Sequence, residues 1–484
     1  MLLDKEHFDV LIVGAGISGI GSGVHLQKKC PAKSYAILEG RESLGGTWDL
    51  FRYPGIRSDS DMYTLGYVFK PWTHAKAIAD APTILDYLHE TVSEYDLDDK
   101  IRYGRHVKAA LWSSEESLWT LAVDNDGKTE HYSCNFLHMC SGYYNYDKGY
   151  TPDFPGRENF SGQIVHPQQW TDDIDYADKR VVVIGSGATA VTLIPAIAKT
   201  AAHVTMLQRS PSYVVSRPAE DKLANRLRKL LPLRLAYFLT RWKNVLIQQY
   251  VYKRCMQFPK AAKARIIDMV RDELHPDFDV DTHFTPSYNP WEQRLCLVPD
   301  SDMFKAINNG SASVVTDNIK NFTEEGIHLT SGQNLSADLI VTATGLNMQF
   351  LSDVEFVVDG KVLEPSEALI YKGMMLSDVP NMAMSSGYTN ASWTLKCDLT
   401  CDYICRLLNY MDKNGYKKCV PHNDDLTLER EAYMGLSSGY IERAKELLPW
   451  QGLKTPWKLH QNYMKDIVML RHGKLEDEAM IFTR

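Results

Sequence analysis

The sequence predicts an α/β protein with two Rossmann-type dinucleotide-binding domains and a helical insertion. Two units of strand, glycine turn, helix and second strand support this fold class. The first unit runs from Phe8 to Glu39, and the second runs from Val181 to Arg209. A basic, helix-like segment then follows the second unit and interrupts the α/β pattern.

Length and composition agree with a multidomain globular protein. The chain has 484 residues, 44% of them hydrophobic, which is enough for several packed cores. The formal net charge of −8 disfavours a nucleic-acid partner, which would require a basic surface. The start of the chain lacks the features of a signal peptide, and no apolar run is long enough to cross a bilayer. We therefore expect a cytoplasmic protein whose nine cysteines are free thiols.

Three of these cysteines recur at a helical spacing. Cys397, Cys401 and Cys405 are four residues apart and would share one face of a helix. A metal site could use such a row, but no fourth ligand stands nearby in the sequence. We interpret them as small buried hydrophobic side chains and predict no metal.

The first glycine turn predicts a dinucleotide site. Gly14 permits the tight turn, Gly16 lets the backbone approach a pyrophosphate, and Gly19 lets helix and strand pack closely. The unpaired N–H groups at the start of the following helix attract phosphate. Glu39 ends the second strand, where a carboxylate accepts hydrogen bonds from ribose hydroxyls.

The second glycine turn has the same arrangement, but the strand that follows its helix ends in an arginine and not in an acid. It carries Gly185 and Gly187, with Ala190 at the third position, and its second strand ends in Arg209 and Ser210. A guanidinium at this place can pair with a 2′-phosphate, which favours NADP over NAD. One acid-terminated unit and one arginine-terminated unit suggest hydride transfer from NADPH to FAD.

Pyridine nucleotide-disulfide reductases also have two dinucleotide-binding units, but the positions of the cysteines in this chain disfavour that class of enzyme. Such enzymes need a redox cysteine pair close in sequence near the flavin. Residues 45–55, which follow the first unit, contain no cysteine. An oxygenase and a purely electron-transferring flavoprotein remain.

Two further motifs make the chain resemble the type I Baeyer–Villiger monooxygenases. Phe160, Gly162, His166 and Trp170 match the signature F-x-G-x-x-x-H-x-x-x-W, although Thr171 follows where the family has Pro or Asp. The second motif joins a Gly-Gly-x-Trp run at residues 45–48 to Tyr-Pro-Gly at residues 53–55 and then to Asp59. The Ala-Thr-Gly turn at residues 343–345 also occurs in this superfamily, and the likeness extends over essentially the whole chain.

The resemblance implies a reaction and its cofactors. Reduced FAD would react with O2 to give a C4a-peroxyflavin, which would convert a ketone to an ester or lactone and would also oxygenate sulfur in sulfides or thioamides. NADPH would supply the electrons. The residues implied to hold the flavin are Gly46, Thr47, Trp48 and Asp59.

The resemblance also implies a catalytic pair. Arg294, followed by Leu295, matches an arginine on a mobile loop of the family, and Asp59 matches its carboxylate partner. A buried peroxy anion needs such a fixed positive charge nearby. Many relatives have Lys before this arginine where this chain has Gln293, so the NADPH preference depends mainly on Arg209.

Several alternatives stay open. Thr171 favours a flavin-containing S- or N-monooxygenase without ketone activity. His166 is interpreted as a hinge residue that fixes the connection between domains, and a general base is the alternative. The substrate is expected to be a small ketone or sulfur compound.

The segment from Lys222 to Arg271 is rich in Lys and Arg, with Asp268 as its only acid. A helical cap over the NADP domain with a solvated basic face is the favoured interpretation. Peripheral contact with anionic lipid through Tyr237, Phe238 and Trp242 is the alternative. The predicted domain ranges are 1–145 and 336–484 for the FAD domain, 146–220 and 286–335 for the NADP domain, and 221–285 for the helical insertion.

Overall fold

The computed structural model describes residues 5–484, which form two main β-sheets and the α-helices around them. The α-helices are α1 (Ile17–Lys29), α2 (Thr47–Leu50), α3 (Met62–Leu65), α4 (Ala81–Glu94), α5 (Ala188–Ile197), α6 (Lys222–Leu230), α7 (Leu233–Gln257), α8 (Pro259–Glu273), α9 (Val280–Phe284), α10 (Asp302–Asn308), α11 (Trp393–Asn414), α12 (Gly439–Ala444) and α13 (Tyr463–Ile467). None of the helices in the described range is both long and apolar enough to span a bilayer.

The first sheet contains both early and late parts of the chain. Its strands lie in the order Lys361–Val362, Glu355–Val358, His106–Ser113, Leu118–Asn125, Lys128–Met139, Glu6–Val13, Tyr35–Leu38 and Ile101–Arg102, and Met382–Met384 also pairs with Lys128–Met139. The three strands Glu6–Val13, Tyr35–Leu38 and Ile101–Arg102 are parallel to one another, and α1 connects the first two. This part of the sheet is the predicted first dinucleotide unit.

The second sheet is parallel throughout. Its order is Ala312–Thr316, His203–Gln208, Arg180–Ile184, Leu339–Thr342 and Gln163–Val165. Val183 and Val341 are fully buried, because helices or loops cover both faces of such a sheet and its strands are therefore apolar throughout. α5 follows the second glycine turn, as the sequence predicts.

Smaller strand groups complete the fold. They are Val214–Arg217 with Cys296–Pro299; Ile319–Thr323 with Gly326–Leu329 and Asn334–Ser336; Ile370–Tyr371 with Met375–Leu376; Lys418–Pro421 with Met480–Thr483; and Arg430–Ala432 with Trp450–Gly452.

One predicted domain boundary is wrong. The strand Leu339–Thr342 pairs with Arg180–Ile184 and Gln163–Val165 in the second sheet, so it belongs to the NADP domain. The boundary expected after residue 335 therefore lies several residues too early. The apolar run before the Ala-Thr-Gly turn is equally compatible with either sheet, and only the strand pairing assigns it.

The helical insertion bridges both domains, which corrects the expectation of a cap over the NADP domain alone. Ala224 of α6 and Tyr237 and Val245 of α7 belong to the apolar core of the first domain. Ile267 and Val270 of α8 instead belong to the core of the second domain. With 25 residues, α7 extends about 37 Å.

A buried ion pair attaches α7 to the first domain. The guanidinium of Arg241 donates hydrogen bonds to the carbonyls of Tyr63 at 2.9 Å and Gly66 at 2.7 Å, and its Nη2 lies 3.2 Å from Oδ2 of Asp398. His25 lies 3.3 Å from the other oxygen of Asp398. Arg241 and Asp398 are almost fully buried, so either charge would be costly without the other.

We predict that Arg241→Ala lowers the free energy of unfolding by about 3–5 kcal/mol, because it leaves Asp398 and two carbonyls short of a buried partner. Urea unfolding of the FAD-loaded protein measures this loss. Arg226→Ala, on the exposed face of α6, is the control and should change the free energy by less than about 0.5 kcal/mol. Equal stability of the two variants would contradict the structural role of Arg241.

Candidate active site

A single large cavity joins the first glycine turn to the helical insertion. Its volume is about 1120 Å³, which is ample for a dinucleotide cofactor together with a small substrate. Gly14, Gly16, Glu39 and residues 46–48 line one part of it, and residues of α7 and α8 line another. The expected flavin-site residues therefore face one continuous space.

The first glycine turn has the close packing that the sequence predicts. A Cβ atom on Gly19 would lie 1.8 Å from the carbonyl oxygen of Gly14, and one on Gly14 would lie 2.7 Å from that of Cys140. These positions leave no room for a side chain. Gly16 precedes α1 without a side-chain cap, so the first N–H groups of the helix are available to phosphate oxygens.

A second backbone segment packs directly against this turn, and Gly45 N donates a hydrogen bond to Ala15 O at 3.0 Å. Gly46 has φ +56°, and a Cβ atom built on it would lie 3.2 Å from the Cα atom of Gly16. Thr47 and Trp48 follow in α2 and also line the cavity. The two glycine segments thus form one continuous backbone surface of the cavity, the flavin cradle, without side chains that would block a pyrophosphate.

Glu39 lies where a ribose would be bound, but it already has backbone partners. Its Oε2 accepts a hydrogen bond from Ala15 N at 2.7 Å, and its Oε1 accepts one from Arg41 N at 2.9 Å. Burial raises the pKa of Glu39, although these hydrogen bonds oppose the rise. Each carboxylate oxygen keeps capacity for another donor, so the carboxylate can hold the turn and bind a ribose together.

The second glycine turn lies outside the lining of this cavity. A Cβ atom on Gly185 would lie 2.3 Å from the carbonyl of Ala343, whereas one on Gly187 would meet open space. Ala190 is fully buried in α5, and Arg209 is exposed at the end of its strand. The exposed Arg209 and the open approach at Gly187 fit the 2′-phosphate and pyrophosphate of NADP. Ser210 accepts a hydrogen bond from Ser186 through its carbonyl, which shapes the loop beside them.

Arg294 and Asp59 meet at the boundary between the domains. Nη1 of Arg294 lies 3.9 Å from Oδ2 of Asp59, and both residues line the cavity. Asp59 belongs to the segment after the Tyr-Pro-Gly motif, whose Gly55 approaches the backbone of α5 so closely that a Cβ would lie 2.9 Å from the carbonyl of Thr192. This approach positions Asp59 against the second domain.

Tyrosines surround Arg294, and sequence reasoning did not find them. Burial by itself lowers the pKa of Arg294, but neighbouring groups, the Asp59 carboxylate among them, raise it by more, so the pKa lies above its ordinary value and the guanidinium stays charged. Burial also raises the pKa of Tyr440 to about 12, so its phenol remains a neutral hydrogen-bond donor. Neither Tyr143 nor Tyr440 belongs to the motifs on which the family resemblance depends.

His166 lies between the two segments of the chain that cross from one domain to the other. Its Nδ1 accepts a hydrogen bond from Gln168 N, so Nε2 carries the proton and donates to Gly345 O at 3.1 Å. A Cβ on Gly149 would overlap the imidazole ring. Burial lowers the pKa of His166, so it is neutral at pH 7. Both ring nitrogens have backbone partners, which favours the predicted hinge role over a general base.

The rest of the signature packs around this connection. Trp170 is buried in the core of the second domain, and Phe160 is buried beside Gly162, where a Cβ would lie 2.6 Å from the phenyl ring. The motif thus holds the first strand of the second domain in place.

All nine cysteines are buried thiols. Cys397, Cys401 and Cys405 lie on α11 as predicted, packed inside the first domain.

Fold and site together define a flavoprotein oxidoreductase with two dinucleotide-binding domains. A family model of flavin-binding monooxygenase-like proteins matches residues 74–385, and one of NAD(P)-binding Rossmann-like domains matches residues 12–79. The chain is 53% identical to the FAD-containing monooxygenase EthA of Mycobacterium tuberculosis, over 99% of this chain and 98% of the relative. It is 49% identical to the probable FAD-binding monooxygenase AlmA of Acinetobacter baylyi, over 99% and 97%. The chain therefore belongs to the flavin-binding monooxygenase-like family.

Solved structures agree on the fold. A steroid monooxygenase bound to NADP superposes with a TM-score of 0.77 at 23% identity, covering 98% of this chain and 99% of the other. An open form of cyclohexanone monooxygenase gives 0.75 at 21% identity, covering 99% and 100%. The predicted fold class is confirmed, as is the predicted class of enzyme, a flavoprotein monooxygenase with FAD and NADP as cofactors.

We predict that Gly46→Ala weakens FAD binding by at least about tenfold, because the new methyl group crowds Gly16 and strains a left-handed backbone. The ratio of flavin to protein absorbance after gel filtration measures retained FAD. Gly127→Ala is the matched control, since Gly127 also has positive φ but its Cβ would meet nothing within 4 Å. Equal FAD retention in both variants would contradict the proposed cradle.

Proposed function

We propose that this protein uses FAD, NADPH and O2 to convert ketones to esters or lactones, and that it also oxygenates sulfur in sulfides or thioamides. One observation carries the proposal: the guanidinium of Arg294 faces the same cavity as the flavin cradle, with Asp59 beside it. The names of two solved relatives, a steroid and a cyclohexanone monooxygenase, support an organic substrate of this kind.

Bound FAD supplies the redox chemistry with O2 when it is reduced by NADPH. Gly14, Gly16 and Gly46 hold its pyrophosphate through backbone groups, and Glu39 accepts from a ribose. Arg209 binds the 2′-phosphate of NADPH, because a planar guanidinium matches phosphate geometry.

Arg294 stabilises negative charge on oxygen during the transfer. The Arg294 side chain is 38% exposed, but a cation that is already fixed in place stabilises such charge without the reorganisation that solvent would need. Its separation of 3.9 Å from Asp59 is long for an ion pair, so the carboxylate orients the guanidinium and leaves most of its charge available.

A second candidate is a flavin-dependent S- or N-monooxygenase without ketone activity. Thr171, which stands where the signature normally has Pro or Asp, favours this alternative. An incubation with NADPH, 18O2 and a panel of linear, cyclic and aryl ketones plus an aryl sulfide separates the two. An ester or lactone carrying one heavy oxygen supports the proposal, and sulfoxide as the sole product supports the alternative.

We predict that Arg294→Ala lowers ester formation about 100- to 1000-fold, because one preorganised charge contributes about 3–4 kcal/mol to the transition state. Flavin reduction by NADPH should persist, so NADPH consumption continues with hydrogen peroxide as the product. Stopped-flow absorbance and mass spectrometry measure the two steps separately.

Arg180→Ala is the control for that variant. Arg180 pairs with Asp338 at 2.7 Å on the surface and does not line the cavity, so its loss should leave ester formation unchanged. An Arg294→Ala protein with native ester yield would remove this residue from the mechanism.

We predict that Arg209→Ala raises KM for NADPH about 10- to 100-fold and changes KM for NADH little, because the lost hydrogen bonds to phosphate contribute about 1.5–3 kcal/mol. Steady-state kinetics with both nucleotides measure the change. A parallel rise in both KM values would show that Arg209 does not read the 2′-phosphate.

A further inference from the structure

More than half of the large apolar side chains that are exposed on the surface belong to the helical insertion. Among residues 5–484, twenty-one large hydrophobic side chains are exposed, and eleven of them lie between residues 223 and 258. We name these eleven the insertion face: Leu223, Leu230, Leu233, Leu235, Phe238, Leu239, Leu246, Ile247, Tyr250, Met256 and Phe258. Single exposed apolar residues are normal, but a concentration of this size marks an interaction surface.

The spacing of these residues makes one stripe along α7. Leu235, Leu239, Leu246 and Tyr250 are separated by four, seven and four residues, which brings them to the same side of a helix. The opposite side of α7 is the one that Arg241 and Tyr237 attach to the first domain. The exposed stripe is therefore held rigidly outward and is not a site of incomplete packing.

The segment that contains α13 extends this apolar surface beyond α7. The rings of Trp242 in α7 and Tyr463 in α13 lie 6.0 Å apart, and exposed Met464 and Val468 follow Tyr463. A groove of about 390 Å³ lies beside them, lined by Phe238 and Trp242 together with the cationic side chains Lys28, Arg234 and Arg471. An apolar stripe thus borders a cationic groove.

The charge of the insertion is opposite to that of the whole chain. Residues 222–271 contain thirteen Lys and Arg and one acid, giving a formal charge of +12 in a protein of net charge −8. Lys229 and Lys253 are exposed among the apolar side chains. Apolar side chains interspersed with Lys and Arg are the pattern of elements that lie in the interface of anionic bilayers.

We propose that the insertion face docks this protein on an anionic lipid bilayer, with the mouth of the active-site cavity turned toward the lipid. Tyr250 indicates that the cavity opens at this face, because it is 65% exposed on the stripe and also lines the cavity. Val251 and Cys255 line the same cavity one turn away, on the inner side of α7. A lipid-dissolved substrate would pass from the bilayer along α7 to Arg294.

A second copy of the chain fits this surface less well. Protein interfaces are depleted in Lys, whereas here Lys229 and Lys253 are exposed among the apolar residues. A lipid headgroup layer satisfies both features at once, because acyl chains cover the apolar side chains and phosphates pair with the cations. The docking does not depend on the proposed reaction; only the access route for substrate does.

Sedimentation with vesicles tests the docking. The FAD-loaded protein is mixed with vesicles of phosphatidylcholine alone and with vesicles containing about a third phosphatidylglycerol. We expect binding to the anionic vesicles that weakens as salt is raised, with little binding to the neutral ones. Absence of binding to anionic vesicles at low salt would overturn the proposal.

Two sets of variants separate the apolar and electrostatic contributions. Arg226→Gln, Lys229→Gln and Lys253→Gln should each weaken binding about fivefold, and the triple variant about a hundredfold. Leu235→Ser, Leu239→Ser and Leu246→Ser together should reduce binding that persists at high salt. The matched controls change residues of similar exposure elsewhere: Lys128→Gln with Lys320→Gln and Lys361→Gln, and Leu111→Ser with Val362→Ser and Leu447→Ser. Equal losses in control and test sets would overturn the assignment to this face.

A fluorescent label reports directly which surface meets lipid. Because all nine native cysteines are buried, Leu246→Cys introduces a thiol that can be labelled selectively with an environment-sensitive dye, and Val362→Cys provides the control position. We expect a blue shift on adding anionic vesicles only for the label at position 246. A shift at neither position, or a concentration-dependent shift without vesicles that indicates a second copy, would overturn the proposal. These readouts need no turnover, so their failure is distinct from failure of the proposed reaction.

Discussion

The close approach of the first domain to α5 of the second is the constraint on which the active site depends. Gly55 lies against the carbonyl of Thr192, and Arg57 forms an ion pair with Asp302 of α10, with Nη2 and Oδ1 3.3 Å apart. These contacts carry Asp59 to the boundary, where it meets Arg294 from the other domain. The pair therefore exists only in this relative position of the domains, and a shift of the domains would change the charge that the flavin side of the cavity experiences.

His166 lies at the place where the chain crosses between the two domains. It binds Gly345, and its neighbour Gln168 donates to Asn145 O at 2.8 Å, so both chain crossings are attached to one short segment. The signature containing Phe160, Gly162 and Trp170 packs that segment onto the second sheet. These contacts hold both chain crossings at one place on the second sheet.

The helical insertion contacts both domains and lines the cavity between them. Its helix α7 is attached to the first domain by the buried Arg241–Asp398 pair, whereas α8 packs on the second domain. Because both helices line the cavity, the insertion closes the space over Arg294 and the flavin cradle. The same rigid attachment leaves the apolar stripe of α7 facing outward, so closure of the active site and exposure of the insertion face follow from a single placement of this helix.

The sequence by itself determined the features that depend on local geometry. The two glycine turns, the acid at Glu39 and the arginine at Arg209 can be read from short segments, since turn, helix dipole and phosphate chemistry require particular residues at fixed spacings. The family resemblance added Arg294 and Asp59 as partners. Only the tertiary structure decided the rest: Tyr440 came to Arg294 from a segment almost 150 residues away, the strand Leu339–Thr342 joined the second sheet, and α7 docked on the first domain. These outcomes are set by long-range packing and strand pairing, which a local pattern of apolar residues does not specify.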